Sequence, residues 1–189
     1  AMANVLVTFD VDGTLIESAG DDANRMHKEA FAHAFKSVLG LDTGIDCVPH
    51  HGFTDPLILL AVALHHGIEE ARVRACFDEL KQSMIDYVRA KTETEGIAFA
   101  GKGIRALPGV EDLLKRLKAK SDGDGAKQRG RLFVGLGTGN LEPIGWLKME
   151  SLGLKPLFTS PPLGGFGTDF MVEALQPHNP QFSRFFSIS

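Results

Sequence analysis

Cysteine is nearly absent from this 189-residue sequence, with only Cys47 and Cys76, which is too few for a disulfide framework and leaves both expected as small buried residues. There is no basic excess: the net charge is −4, which argues against a nucleic-acid-binding protein. No apolar run approaches the roughly 18 residues of a membrane span, and no signal-peptide pattern opens the chain. The seven histidines include no pair at the i, i+4 spacing of a helical metal site, and adjacent pairs such as His50–His51 and His65–His66 point in different directions on a helix. What is plentiful is apolar: 43% of the residues are hydrophobic, enough for one good core or a core with a small accessory domain. The expectation is a globular protein in a reducing cytoplasmic compartment, without nucleic acid or membrane as partner.

One stretch organises the rest. Val5 to Leu15 reads V-L-V-T-F-D-V-D-G-T-L. Its β-branched and apolar run predicts a strand from Asn4 to Asp10, buried on both faces in a mostly parallel sheet. The carboxyl end of such a strand is where ligands bind. Asp10 and Asp12 straddle a turn made by Gly13 and Thr14, so both carboxylates can converge on one point where a divalent cation would orient them. Asp10 then has the chemistry of a nucleophile and Asp12 that of a proton donor and acceptor. An ordinary Asx turn would use the same residues.

Asp10, Asp12, Gly13 and Thr14 match in full the D-x-D-G-T signature that follows a buried strand in haloacid dehalogenase-like (HAD) hydrolases. The chain resembles that superfamily and, in the string Gly164-Gly165-Phe166-Gly167 followed by Thr168 and Asp169, its phosphoglycolate phosphatase-like branch. The resemblance implies a Rossmann-like α/β core with an inserted helical cap. It also implies a Mg2+-dependent phosphatase in which Asp10 becomes a transient aspartyl-phosphate, Asp12 protonates the leaving oxygen, and both contribute to the metal site. Haloacid dehalogenases proper lack a carboxylate at the position of Asp12, which points to phosphoryl transfer rather than carbon–halogen cleavage.

After Leu15 the pattern turns helical. Asp21 and Asp22 can cap a helix bearing Met26, Ala30, Phe31, Ala34, Phe35 and Val38 and ending at Gly40. Thr54, Asp55 and Pro56 open a second helix that runs to His66 and stops at Gly67. Glu69 and Glu70 begin a third, with Val73, Phe77, Leu80, Met84, Tyr87 and Val88 as a continuous apolar face to about Ala90. One-sided helices of this kind pack as a bundle, and residues 17–100 have the size and position of the family's cap. Related phosphatases carry a G-x-T-D string like Gly52 to Asp55, which gives that loop a substrate-facing reading beside the simpler one of a helix N-cap.

Residues 92–107 show no sustained period and read as a return linker to a core formed by 1–16 and 101–189. Val110, Leu113, Leu114 and Leu117 predict a helix, followed by a polar, Gly-rich surface loop over 121–130. A second strand through Val134 and Leu136 ends in Gly137, Thr138, Gly139 and Asn140, before a helix that stops at Gly153. A hydroxyl and the free N–H groups of a helix start then sit at a strand's carboxyl end, a geometry suited to a phosphoryl oxygen. This resembles the family's second motif and makes Thr138, Gly139 and Asn140, with Gly13 and Thr14, the candidate phosphate-binding set.

Leu157 to Thr159 suggests a short third strand, and Asp169 a helix cap. The resemblance covers residues 4 to 169. The family's third motif, a Lys or Arg, and its fourth, an acidic pair in a G-D-x-x-x-D string, have no evident counterpart: Lys148 reads as a surface cation, and no such string stands in the sequence. Phe182, Phe186 and Ile188 alternate loosely with serines and suggest a strand that pairs with the first. The functional expectation is a phosphatase acting on a small phosphorylated metabolite with Mg2+. The alternatives are a degenerate, non-catalytic member that binds a phosphometabolite or protein partner, and a phosphomutase. A homo-oligomer stays open.

Overall fold

The structure is a computed structural model that describes residues 4–122 and 131–169. Its sheet is parallel, with order β1–β4–β5 among the described residues. β1 is Val5–Phe9, β4 is Leu132–Gly137 and β5 is Gly164–Gly165. Val5 pairs with Leu132 and Phe9 with Leu136, so Asp10 and the turn after β4 emerge at the same sheet edge. A separate antiparallel pair joins β2 (Ile16–Ser18) to β3 (Ile104–Ala106). β3 corrects the expectation of a structureless linker: three residues are too few to declare a period, and their strand character comes from pairing with β2.

Two apolar clusters are built on this frame. The first lies among four helices: α1 (Arg25–Ala34), which continues as a π-helical turn to Leu39, α2 (Asp55–His65), α3 (Glu70–Ala75) and α4 (Phe77–Glu95). It includes Phe31, Phe35, Leu59, Leu60, Leu80 and Met84. α2 is buried over nearly its whole length, as expected of a helix without a polar face. The third helix expected from Glu69 to Ala90 is broken at Cys76 into α3 and α4. The second cluster lies under the sheet, with Val11, Leu15, Leu136, Trp146, Met149 and Phe158, and α5 (Val110–Asp122) contributes Val110 and Leu114.

The helix after β4, α6 (Glu142–Ser151), belongs to both clusters. Leu141 and Ile144 join the helical one, and Trp146 and Met149 the sheet-side one. α6 is therefore a shared wall with little surface facing water.

β1 differs from the expectation of a strand covered on both faces. Val5 and Leu6 are 52% and 58% exposed, and among the described residues β1 pairs with β4 alone. The proposed pairing of residues 182–188 with β1 lies outside the described residues, as does most of the polar loop expected over 121–130. No third strand forms at 157–159. Lys155–Leu157 make a 3-10 turn instead, and Thr159 meets β4 through its N–H to the Val134 carbonyl (3.0 Å) and its hydroxyl oxygen from the Val134 N–H (2.8 Å). Cys47 is exposed and Cys76 half-buried, so neither is the core residue expected. No helix of the described residues is long and apolar enough to cross a membrane.

Candidate functional site

The turn after β1 is closed by its own backbone. The N–H of Gly13 donates to the Ile16 carbonyl (2.8 Å), and those of Leu15 and Ile16 to Val11 (2.9 and 3.1 Å). Gly13 has φ +83°, a conformation that a Cβ would strain. This fold anchors Val11 and Leu15 in the core and leaves Asp10, Gly13 and Thr14 exposed. The Asp12 side chain keeps 44% of its surface.

Opposite Asp12 stands Lys148, and here the structure corrects the sequence reading. Lys148 is fully buried. Its ammonium donates to both Asp12 carboxylate oxygens (2.9 Å each) and to Asn140 Oδ1 (2.8 Å), and lies 3.3 Å from His27 Nδ1. The exposed positions of α6 are Glu142, Pro143 and Glu150, whereas Lys148 falls between the two packed faces. The missed signal is that a lone lysine within E-P-I-G-W-L-K-M-E-S, one turn from Ile144, lies on a face that is otherwise apolar.

Asn140 organises rather than receives. Its Nδ2 donates to Asp12 Oδ2 (2.7 Å) and to Thr138 Oγ1 (2.8 Å), while its Oδ1 accepts from Lys148. A flipped amide would set oxygen against the carboxylate and nitrogen against the ammonium, so the network fixes its orientation. With both amide hydrogens used and the residue 4% exposed, Asn140 is poorly placed to bind phosphate itself. Its effect falls on Thr138, whose hydroxyl oxygen accepts from both Asn140 N (3.3 Å) and Asn140 Nδ2. A hydroxyl that accepts two bonds keeps its one hydrogen to donate.

The electrostatics of Asp12 follow from these contacts. Burial alone pushes its carboxyl up, but the Lys148 charge and the hydrogen bonds from Lys148 and Asn140 outweigh burial and hold it below the usual carboxylate range. Asp12 is thus an ionised carboxylate, paired to a lysine.

The N-cap reading of the loop 52–55 holds, and Asp55 itself is buried behind the cap. Thr54 is the N-cap of α2, with its Oγ1 accepting from the Leu57 N–H (3.4 Å). Asp55 is 2% exposed and braces the turn after β4: its N–H donates to the Gly139 carbonyl and its Oδ2 accepts from the Leu141 N–H, both at 2.8 Å. The carboxylate so placed also favours the N-terminal dipole of α6. The approach is close enough that a Cβ on Gly139 would stand 2.9 Å from Thr54 Cα and 3.0 Å from the Phe53 carbonyl oxygen. Asp169 closes a turn, its Oδ2 accepting from the Phe166 N–H (2.7 Å).

A Mg2+ site is not complete in these residues. Among the described residues no group of three or more His, Cys, Asp or Glu is placed to hold a metal ion. Of the two expected ligands, Asp12 has both carboxylate oxygens engaged by Lys148 and Asn140, which leaves the Asp10 carboxylate and the Asp12 backbone carbonyl to face a cation. With a single free carboxylate, most of the near-octahedral oxygen shell of Mg2+ would fall to water and substrate rather than to the described residues.

No protein-family model matches the chain, and no curated protein matches it. Among solved structures it is similar to a haloacid dehalogenase-like family hydrolase from Streptococcus pneumoniae, with 19% sequence identity and a TM-score of 0.40. The match covers 86% of this chain and 60% of that one, so the chain spans about three fifths of that structure's length.

Proposed function

We propose that this chain is a phosphate monoester hydrolase of the HAD-like kind, with residues 17–100 as the cap over a Rossmann-like core and a small phosphorylated metabolite as substrate. The observation that carries the reading is the buried ammonium of Lys148 held on Asp12, beside a Thr138 hydroxyl left free to donate, at the sheet edge where Asp10 emerges. Lys148 takes the part of the cation that the sequence reading failed to find. Phosphoryl transfer depends on positioning and on stabilising spread negative charge, and these groups supply both.

In this reading an Asp10 carboxylate oxygen attacks phosphorus, and the ester bond breaks as the aspartyl-phosphate forms. The leaving oxygen takes a proton from Asp12. That proton is one Asp12 takes up from solvent as the ester binds, because the negative phosphoryl oxygens then offset the Lys148 charge that keeps its carboxyl ionised. Asp12 next takes a proton from water, and the hydroxide oxygen attacks phosphorus. Inorganic phosphate leaves, Asp10 is regenerated, and Asp12 returns its proton to solvent as the Lys148 charge again holds it ionised. Thr138 donates its hydroxyl hydrogen to a phosphoryl oxygen throughout. Gly13, Thr14 and Gly139 are proposed to line the same oxygens with backbone. Mg2+ is kept as an additive to be tested, and no step is routed through it.

The experiment is a panel of phosphate monoesters assayed with and without Mg2+ for release of inorganic phosphate, with Asp10→Asn as the control. Turnover by the wild type that the variant lacks supports the proposal. No turnover on any ester, or equal turnover by both proteins, overturns it. A phosphomutase would instead transfer the group to a second sugar hydroxyl. Binding without turnover would identify the degenerate member.

A further inference from the structure

Four buried or half-buried groups follow one another in close polar contact from the sheet into the helical layer. It runs from Asp12 to Lys148, from Lys148 to His27 on α1, and from His27 to Asp55 at the start of α2. His27 is 5% exposed and Asp55 2%. Lys148 Nζ lies 3.3 Å from His27 Nδ1, and His27 Nε2 lies 3.0 Å from Asp55 Oδ1. An ammonium has three hydrogens and no acceptor, so an imidazole nitrogen facing it must be bare. The remaining ring hydrogen of His27 is then on Nε2, the nitrogen next to the Asp55 carboxylate. That contact is close but off the N–H axis, since Nε2 makes no aligned hydrogen bond. Its effect is electrostatic: it favours the tautomer with Nε2 protonated.

With that tautomer the three Lys148 hydrogens have three acceptor groups: the Asp12 carboxylate, Asn140 Oδ1 and His27 Nδ1. Two of these stand on the sheet side, and the third comes from the helical layer. The side chain of Asn24 also approaches His27 Nδ1, at 3.4 Å, and competes for the same lone pair. Resting on the phosphatase reading above, we propose that His27 and Asp55 are positioning residues: they fix the third N–H of Lys148 and so make the direction of the ammonium depend on the docking of α1 and α2 against α6. Neither residue touches the reacting atoms. They act through Lys148, and the helical layer thereby sets the positive charge of the site as well as covering it.

The test reads Lys148 directly and needs no turnover. Native wild-type protein, His27→Leu and His27→Asn are exposed to an amine-labelling reagent, and modification at Lys148 is followed by mass spectrometry. Asn can present its Oδ1 near the position of Nδ1; Leu fills more of the volume but offers no acceptor. If His27 acts as an acceptor, labelling of Lys148 rises in His27→Leu by about ten- to a hundredfold, the range set by one hydrogen bond to a charged group, and rises less in His27→Asn. A loss of packing alone gives the opposite order, because Asn leaves the larger void. Equal labelling in the three proteins, or more in Asn than in Leu, overturns the proposal. Should His27→Leu not fold, 15N spectra of the wild type decide: Nε2 protonated with Nδ1 bare supports the proposal, and Nδ1 protonated overturns it. Asp55→Asn is expected to add a fraction with Nδ1 protonated, and an unchanged tautomer there removes Asp55 from the role. If the wild type hydrolyses no ester, the phosphatase reading fails while these measurements still decide the role of His27.

Discussion

Replacing Lys148 by Met keeps an unbranched stem, one atom shorter, and removes the charge. Asn140 Oδ1 is then a buried acceptor without its partner, at a cost of about 1–3 kcal/mol. Asp12 loses its ion pair. For a fully buried pair that would cost about 3–5 kcal/mol, but the Asp12 side chain is 44% exposed, so water can take up most of that loss. Relief from burying an ammonium acts in the other direction, and the net expectation is about 1–3 kcal/mol of lost stability at neutral pH. The pH dependence identifies the source. The Asp12 carboxyl is held below its ordinary value in the folded state, so its pairing stabilises the fold above the unfolded-state pKa of about 4. That contribution disappears as the pH falls through the lower folded-state value. Urea melts of the two proteins at intervals from pH 7 to pH 3 should show a gap that is constant above about pH 5 and narrows below it. A gap that persists unchanged to pH 3, or a variant as stable as the wild type at pH 7, would refute the assignment of Lys148 to Asp12.

Any phosphatase activity should vanish in Asp10→Asn, since an amide cannot form the acyl-phosphate; phosphate release at the wild-type rate would remove the nucleophile assignment. Asp12→Asn should depress turnover of alkyl phosphates in both steps and give a burst only with an aryl phosphate whose leaving oxygen needs no proton; turnover of an alkyl ester at the wild-type rate would remove Asp12 as the proton carrier. Gly139→Ala drives a Cβ into the Thr54 and Phe53 backbone and should cost about 1–3 kcal/mol, read as a lower urea midpoint with unchanged m; an unaffected midpoint would mean that the Thr54–Gly139 approach is looser than described. Tyr87, the sole tyrosine, is pushed well above the ordinary phenol value by burial, by its hydrogen bond to Glu29 Oε2 (2.7 Å) and by that carboxylate's charge. Its absorbance change at 295 nm should therefore come at a pH above about 10, and Glu29→Gln should move it down.

Local patterns in the chain were sufficient for its strand–turn nucleus, for the helices with one-sided apolar faces and for several of their ends. Val5 to Phe9 is a strand because β-branched residues favour it. The turn after it uses Gly13 because φ there is positive, and α2 starts at Thr54 because a hydroxyl can accept from the helix start. Each of these is decided by residues a few positions apart. Contacts between distant segments could not be read the same way. The pairing of β2 with β3 joins segments 88 positions apart from Glu17 to Arg105, which also share a 2.8 Å hydrogen bond. The loop Gly52 to Asp55 read as a helix N-cap beside a substrate-facing alternative, and only the packing of α2 against the turn after β4 made Asp55 a brace for that turn. Lys148 is the clearest case. Lysine on a helix is usually solvated, and whether it is buried depends on what covers both faces of α6. The four-helix cluster covers one face and the sheet-side cluster the other, and a buried ammonium in that position persists because Asp12 and Asn140 accept its hydrogens, Asp12 being brought from 136 positions away.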